Sequence, residues 1–192
     1  AGRVGASGGG PDVICQRVPS PLTFKMERRV DGKMAGGYIG DSIGVSVGSL
    51  GNAFMDQGGP MHWRNDRNLS GYNILNMGIW YEAMIRWVGR ATKVTSMTKI
   101  NVSSRKDESG ETVDVNIPDH VGIIAELANG AMANMQFSAV TGLSSGSGVW
   151  IYGSEGTLHV DGALNVYGGR RGDDKLSEIK EPKSREAGTR RA

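Results

Sequence analysis

The run Val121-Gly122-Ile123-Ile124-Ala125-Glu126-Leu127, then Ala128-Asn129-Gly130, then Ala131-Met132-Ala133-Asn134-Met135-Gln136-Phe137 decides the fold. Val121, Ile123, Ala125 and Leu127 recur at every second residue. Ala131, Ala133, Met135 and Phe137 do the same. That period belongs to strands with one buried face. Asn129-Gly130 between them accepts the positive φ of a two-residue hairpin turn. Two adjacent antiparallel strands are therefore predicted.

Downstream the strands continue. After a Gly/Ser-rich loop over 141–148, Val149-Trp150-Ile151-Tyr152 reads as a strand, turned by Gly153-Ser154-Glu155-Gly156. Leu158 and Val160 alternate on the return, and Asp161-Gly162 turns the chain again into Leu164 and Val166. This is an antiparallel meander. From Gly168 to Ala192 the chain is charged with almost no apolar period, which predicts a disordered tail or a fold cut short.

Upstream, Val94, Ser96, Thr98, Ile100 and Val102 share one strand face, and 103–110 reads as a polar loop. Before them, Ile74, Gly78, Tyr81, Ile85 and Val88 form a helical stripe, with Asn76, Trp80, Ala83 and Trp87 on a second. Ser70 is placed to cap this helix and Gly89 to end it. Ile43, Val45 and Val47 alternate with Gly44, Ser46 and Gly48, a strand with small residues on its other face. Residues 49–60 are a glycine-broken loop. A first helix is predicted over 23–35, with Met26, Val30 and Met34 on one face and Gly36-Gly37 as its stop. Val13-Ile14-Cys15 reads as a short buried strand, and the prolines of Val18-Pro19-Ser20-Pro21 extend the chain after it. Residues 1–12 are a glycine-rich linker. Two helices before a run of strands, without β-α-β alternation, predict an α+β fold with a mostly antiparallel sheet. The domain is expected over 13–167.

Composition narrows the function. In 192 residues, 38% are hydrophobic and 22% charged, with formal net charge +2. A balance so mild gives no footprint for nucleic acid, and no apolar run reaches the ~20 residues of a membrane span. The single Cys15 excludes an internal disulfide and leans to a reducing, cytoplasmic setting. No cysteine cluster, zinc-protease helix or EF-hand loop supports a metal site.

The chemistry concentrates in Gly59-Pro60-Met61-His62-Trp63-Arg64-Asn65-Asp66 and the helix after it. His62 is the histidine best placed for acid–base work. His120, after Asp119, suits a capping or surface role, and His159 a solvent-facing strand position. Asn76 and Trp80, four apart on a helix, project to the same side. With Tyr81, Trp63 and Arg64 they can line a pocket in which aromatic faces stack on a sugar ring and amide and guanidinium groups bind its hydroxyls. Spacing alone supports a core role for the tryptophans equally well. Arg17, at the end of a strand, is a further candidate ligand contact.

Met34-Ala35-Gly36-Gly37-Tyr38-Ile39-Gly40-Asp41, His62-Trp63-Arg64, Ser70-Gly71-Tyr72-Asn73-Ile74-Leu75-Asn76-Met77-Gly78-Ile79, Trp87-Val88-Gly89, the Asn129-Gly130 hairpin and Ile151-Tyr152-Gly153-Ser154-Glu155-Gly156-Thr157-Leu158 occur in that order. The series resembles the C-terminal domain of the Gfo/Idh/MocA oxidoreductases over roughly residues 13–167. The resemblance implies an open, mostly antiparallel sheet with helices on one face, and a Rossmann domain that is absent here. It implies an NAD- or NADP-dependent oxidoreductase acting on a sugar, inositol or related carbohydrate, with the cofactor held mostly outside this chain. It also implies a homo-oligomer formed through the sheet. Substrate contacts would come from Arg17, Trp63, Arg64, Asn76, Trp80 and Tyr81. Many members carry an Asp-x-x-x-His pair on the helix for proton transfer. Asn76 and Trp80 stand there instead, and neither transfers a proton as that chemistry requires. His62 and Tyr81 remain as catalytic candidates. The chain alone is then expected to be inactive. A carbohydrate-binding or scaffold protein on the same fold, and a lyase or hydrolase using bound NAD, are the alternatives.

Overall fold

The computed structural model describes residues 25–72 and 76–180. Helix α1 is Lys25–Ala35 and strand β1 is Ser42–Leu50. A single 3-10 turn, Trp63–Asn65, precedes the short helix α2, Arg67–Ser70, and α3 is Met77–Val88. The strands that follow are β2 (Ala91–Lys99), β3 (Ser104–Lys106), β4 (Thr112–Asp114), β5 (His120–Leu127), β6 (Met132–Ser138), β7 (Ser147–Gly153), β8 (Gly156–Asp161), β9 (Val166–Arg170) and β10 (Ser177–Glu178). Eight form one sheet in the order β10-β9-β8-β7-β1-β6-β5-β2, and β3 and β4 form a separate hairpin. The pairing of β1 with β6 is parallel and every other pairing is antiparallel. The α+β prediction with an open, mostly antiparallel sheet holds.

The period-two pattern sets what the sheet buries. Val45, Val47, Val121, Leu127, Phe137, Val149, Ile151, Leu158 and Val166 belong to one core with Met26, Val30, Met84 and Trp87 of α1 and α3. Each fully buried aliphatic side chain contributes about 1.5–3 kcal/mol. Ile43 breaks its expected alternation and is exposed, because the register of β1 shifts between Ser42 and Gly44. On β2, Val94, Ser96 and Thr98 pair with the core-facing Ala125, Ile123 and Val121. This edge strand is nevertheless exposed along most of its length.

Helix α1 ends as its glycines predict. Gly37 takes φ +66, and Tyr38 N–H donates back to Lys33 O at 3.0 Å. Helix α3 starts later than expected. Ser70 closes α2 instead of capping α3, its hydroxyl donating to Asp66 O at 3.0 Å. Gly71, at φ +64, separates the two helices. The face of α3 turned to the core is centred on Met84, with Met77, Tyr81 and Val88 along it and Ala83 and Trp87 beside it. The expected stripe through Gly78 is therefore rotated, since Gly78 is exposed. Ile74 lies outside the described residues.

Two further expectations change. The 103–110 segment is not all loop: β3 and β4 pair across it, strands too short and too polar to read from alternation. The hairpin after β5 spans 128–130, and Gly130 at φ +85 is its positive-φ residue. That is the type I turn plus bulge geometry, not the two-residue turn. Asn129 also reaches outside its hairpin, donating to Val88 O at 3.2 Å.

The sheet runs past the boundary predicted at 167. Strand β9 continues to Arg170, β10 pairs with it, and Ile179 packs on the core. Arg29 of α1 donates to Ile179 O at 3.0 Å. Gly168 and Gly169, both buried, interrupt the apolar alternation there, so the strand leaves little trace in the sequence.

Candidate functional site

The His62–Arg64 segment is a loop held from behind. Arg105 on β3 is 5% exposed. Its guanidinium donates to the main-chain oxygens of Phe54, Asp56 and Gly59. Met61 N–H donates to Lys106 O at 2.6 Å, and Pro60 bridges to Lys106. The Phe54 ring then lies 5.5 Å from the His62 ring. Sequence reasoning missed Arg105, because it fell within a segment read as polar loop. No local pattern marks it, since its partners lie 46–51 residues away.

On that support three candidates come together. His62 Nδ1 accepts from Arg64 N–H at 3.2 Å, so the neutral ring carries its proton on Nε2. Its solvent-facing nitrogen is thus a donor. Trp63 is 48% exposed. The Arg64 guanidinium lies 4.7 Å from the centre of its ring, a cation–π contact. Arg67 lies similarly over Tyr72, at 5.2 Å. Asn65, beside them, is buried, and its side-chain oxygen has no partner among the described residues.

The remaining candidates lie on α3. Asn76 is exposed at the helix start and makes no capping hydrogen bond. Trp80, one turn on, is half-buried against the core. The Tyr81 hydroxyl accepts from Ala91 N–H at 3.2 Å and joins α3 to the start of β2. Ala83 and Trp87, from the same expected stripe, are buried. Among the described residues, no hydrogen bond, ring contact or ion pair joins the α3 group to the loop group. Arg17 lies outside the described residues.

Asp119, rather than His120, does the capping at the start of β5. Its carboxylate, 2% exposed, accepts from Asn101 N–H, the Asn101 side chain and Val102 N–H at 2.8–3.0 Å. His120 meets Gln136 on the open face at 3.3 Å. His159 is not a plain surface residue: its ring stacks 3.8 Å from that of Trp150.

The GFO/IDH/MocA C-terminal domain model matches residues 27–159, which includes α1, α3 and the sheet through most of β8. The chain belongs to this GFO/IDH/MocA C-terminal domain family. No curated protein matches it. Among solved structures, an oxidoreductase domain protein from Kribbella flavida superposes with a TM-score of 0.73 at 20% identity, over 80% of this chain and 45% of that one. Levoglucosan dehydrogenase in complex with NADH and levoglucosan gives 0.69 at 17% identity, over 80% of this chain and 44% of that one. A super-repressor mutant of Gal80p from Saccharomyces cerevisiae gives 0.65 at 16% identity, over 83% of this chain and 45% of that one. At these identities the likeness is one of fold. The GFO/IDH/MocA domain described here spans less than half the length of each of these proteins. Among the described residues of this domain, no strand passes through a glycine turn directly into a helix. Such a unit is the usual cradle of a dinucleotide pyrophosphate.

Proposed function

We propose that the chain is the substrate-binding and oligomerisation part of an NAD(P)-dependent oxidoreductase acting on a sugar, inositol or related carbohydrate. The exposed Trp63 ring, braced by Arg64 on a loop that Arg105 fixes, is the observation that carries this. A flat apolar face beside fixed donors suits a pyranose ring, which offers C–H faces and hydroxyls together. Asn76 and Trp80 extend the surface along α3. On this reading the loop and the helix are two parts of one open wall. On this reading the facing wall and the nicotinamide site belong to another part of a longer protein. Levoglucosan dehydrogenase, solved with both NADH and levoglucosan, supports the reading by analogy.

The test uses the chain together with the protein sequence that naturally flanks it, assayed for NAD+ and NADP+ reduction with levoglucosan and myo-inositol. Turnover that loses at least about tenfold in kcat/KM in Trp63→Ala supports the reading. No reduction with either substrate, combined with no binding of either, sinks it.

A second reading is a carbohydrate-responsive protein without turnover. Asn76 and Trp80 at the positions of the proton-transfer pair favour it, and so does the likeness to a super-repressor. Sugar binding without nicotinamide reduction separates it from the first.

Self-association is proposed through the open face of the sheet. Met97, Ile124 and Met132 lie there at 80%, 51% and 63% exposure, over shallow grooves of about 490 and 430 Å³. Apolar exposure on that scale marks an interaction surface. Sedimentation of the wild type and of Ile124→Glu tests it. A dimer that the substitution dissociates is the expected result, and a wild-type monomer at high concentration refutes it.

A further inference from the structure

Two donors border the exposed indole of Trp63. The His62 ring lies 5.6 Å from the Trp63 ring, and the Arg64 guanidinium lies 4.7 Å from its centre. His62 Nδ1 is taken by Arg64 N–H, so Nε2–H is the donor that the ring has left to offer. Arg105 holds the chain behind them through the main-chain oxygens of Phe54, Asp56 and Gly59. Both donors are therefore set in place before a ligand arrives, and ordering them on binding costs little.

Arg64 carries a charge that the fold does not answer locally. Between Pro60 and Tyr72 the charged side chains are Arg64, Asp66 and Arg67. Asp66 turns one carboxylate oxygen to Asn68 N–H at 2.8 Å and so starts α2. Arg67 lies over a different ring, that of Tyr72. Among the described residues, the Arg64 guanidinium makes no hydrogen bond and no ion pair. Its contact with Trp63 engages the charge and leaves its planar fork of N–H donors unspent.

The main chain selects the kind of anion. The N–H groups of Arg64 to Asp66 and of Asn68 to Gly71 all donate within the segment. A phosphate site draws on a nest of main-chain N–H groups or on the start of a long helix. Here those groups are taken, and α2 has only four residues. A carboxylate asks for less. The guanidinium fork meets both of its oxygens with parallel hydrogen bonds, and one further donor completes the set.

We infer that the carbohydrate taken at Trp63 is an acidic one, with its ring against the indole and its carboxylate held by the Arg64 fork and His62 Nε2–H. This rests on the proposal above that Trp63 is part of the substrate wall. On this assignment His62 binds the substrate and does not carry its proton.

The test is isothermal titration of the chain with its natural flanking sequence. The ligands are matched pairs that differ only at C6: glucuronate with glucose, and galacturonate with galactose. At least one uronate is expected to bind about tenfold more tightly than its parent sugar, the scale of a charge-assisted pair. Arg64→Gln should bring the two members of that pair to within about twofold, with an unchanged melting temperature. Arg67→Gln removes the same charge nearby and should leave the preference intact. Equal binding of each uronate and its parent overturns the inference, as does binding of none of the four sugars. So does a preference that survives Arg64→Gln or that Arg67→Gln abolishes equally. Tighter binding of glucose 6-phosphate than of either uronate overturns the assignment to a carboxylate. Trp63→Ala separates the two proposals. Equal binding of uronate and parent that Trp63→Ala weakens removes the acid and keeps the wall; binding indifferent to Trp63→Ala removes the wall as well.

Discussion

Arg105 donates to the main-chain oxygen of Phe54, and the Phe54 ring in turn stands against His62. Among the described residues, this buried cation meets three carbonyls and no carboxylate. Its role is to hold a loop in shape.

Arg105→Ala should therefore cost about 3 kcal/mol, the scale of hydrogen bonds to a charged group lost from a buried site. Amide hydrogen exchange should accelerate over 54–64 more than over β5 and β6. Arg105→Lys should recover only part of the loss, since a point charge does not reproduce the planar fork of donors. Equal acceleration throughout the chain would show that Arg105 serves global stability only.

Asp161 gives the pH dependence. Burial raises its carboxyl, but Asn165, Ala163 and Tyr167 donate to it and together hold it below its ordinary value. Asp107 is lowered as well, first by the Ser109 hydroxyl. A depressed folded value means the stabilisation is complete above the unfolded value, about 3.9, and disappears as pH falls through the folded one. Urea unfolding of the wild type should thus show stability falling below about pH 4. Asp161→Asn should flatten that slope while leaving the curve nearly level between pH 6 and 8.

Much of this fold was legible because its strands bury one face only. Val121 through Phe137 announce two strands by period alone, and Asn129-Gly130 announces the turn. The signal failed where packing comes from elsewhere. Ser104–Lys106 is a strand because Arg105 finds carbonyls 46–51 residues away, which no local pattern encodes. Gly168 and Gly169 hide the end of the sheet because Tyr38, Ile179 and Leu176 fill the space their side chains would take. At the candidate site, the helical period located α3 and its two tryptophans. It could not show that Trp87 is core and Trp80 half-exposed, because both lie on the rim of a stripe centred on Met84.

Asp119 tests a residue that the neighbouring His120 overshadowed. Replacing it with Ala leaves the Asn101 and Val102 N–H groups without their buried acceptor. Each unpaired buried donor costs about 1–3 kcal/mol. A loss of about 3 kcal/mol by urea denaturation is expected, with His120→Ala changing stability by less than about 0.5 kcal/mol. A larger effect at His120 would reverse the assignment.

Two glycines should respond to alanine with opposite signs. Gly153 ends β7 against the 39–41 segment, where Ser154 N–H donates to Asp41 O and Glu155 N–H to Ile39 O. A methyl group at Gly153 would overlap the Ile39 carbonyl, and Ile39 is itself fully buried and has no room to retreat. Overpacking of that kind costs about 1–3 kcal/mol. Gly122, on the open face of β5, has nothing within 4 Å of the added carbon and an ordinary φ. Alanine there removes chain entropy from the unfolded state and should gain about 0.5 kcal/mol. Thermal unfolding of the two variants decides it: Gly153→Ala should melt several degrees below the wild type and Gly122→Ala at or above it. If Gly153→Ala melted with the wild type, the close contact of the β7–β8 turn with Ile39 would not be a constraint on this fold.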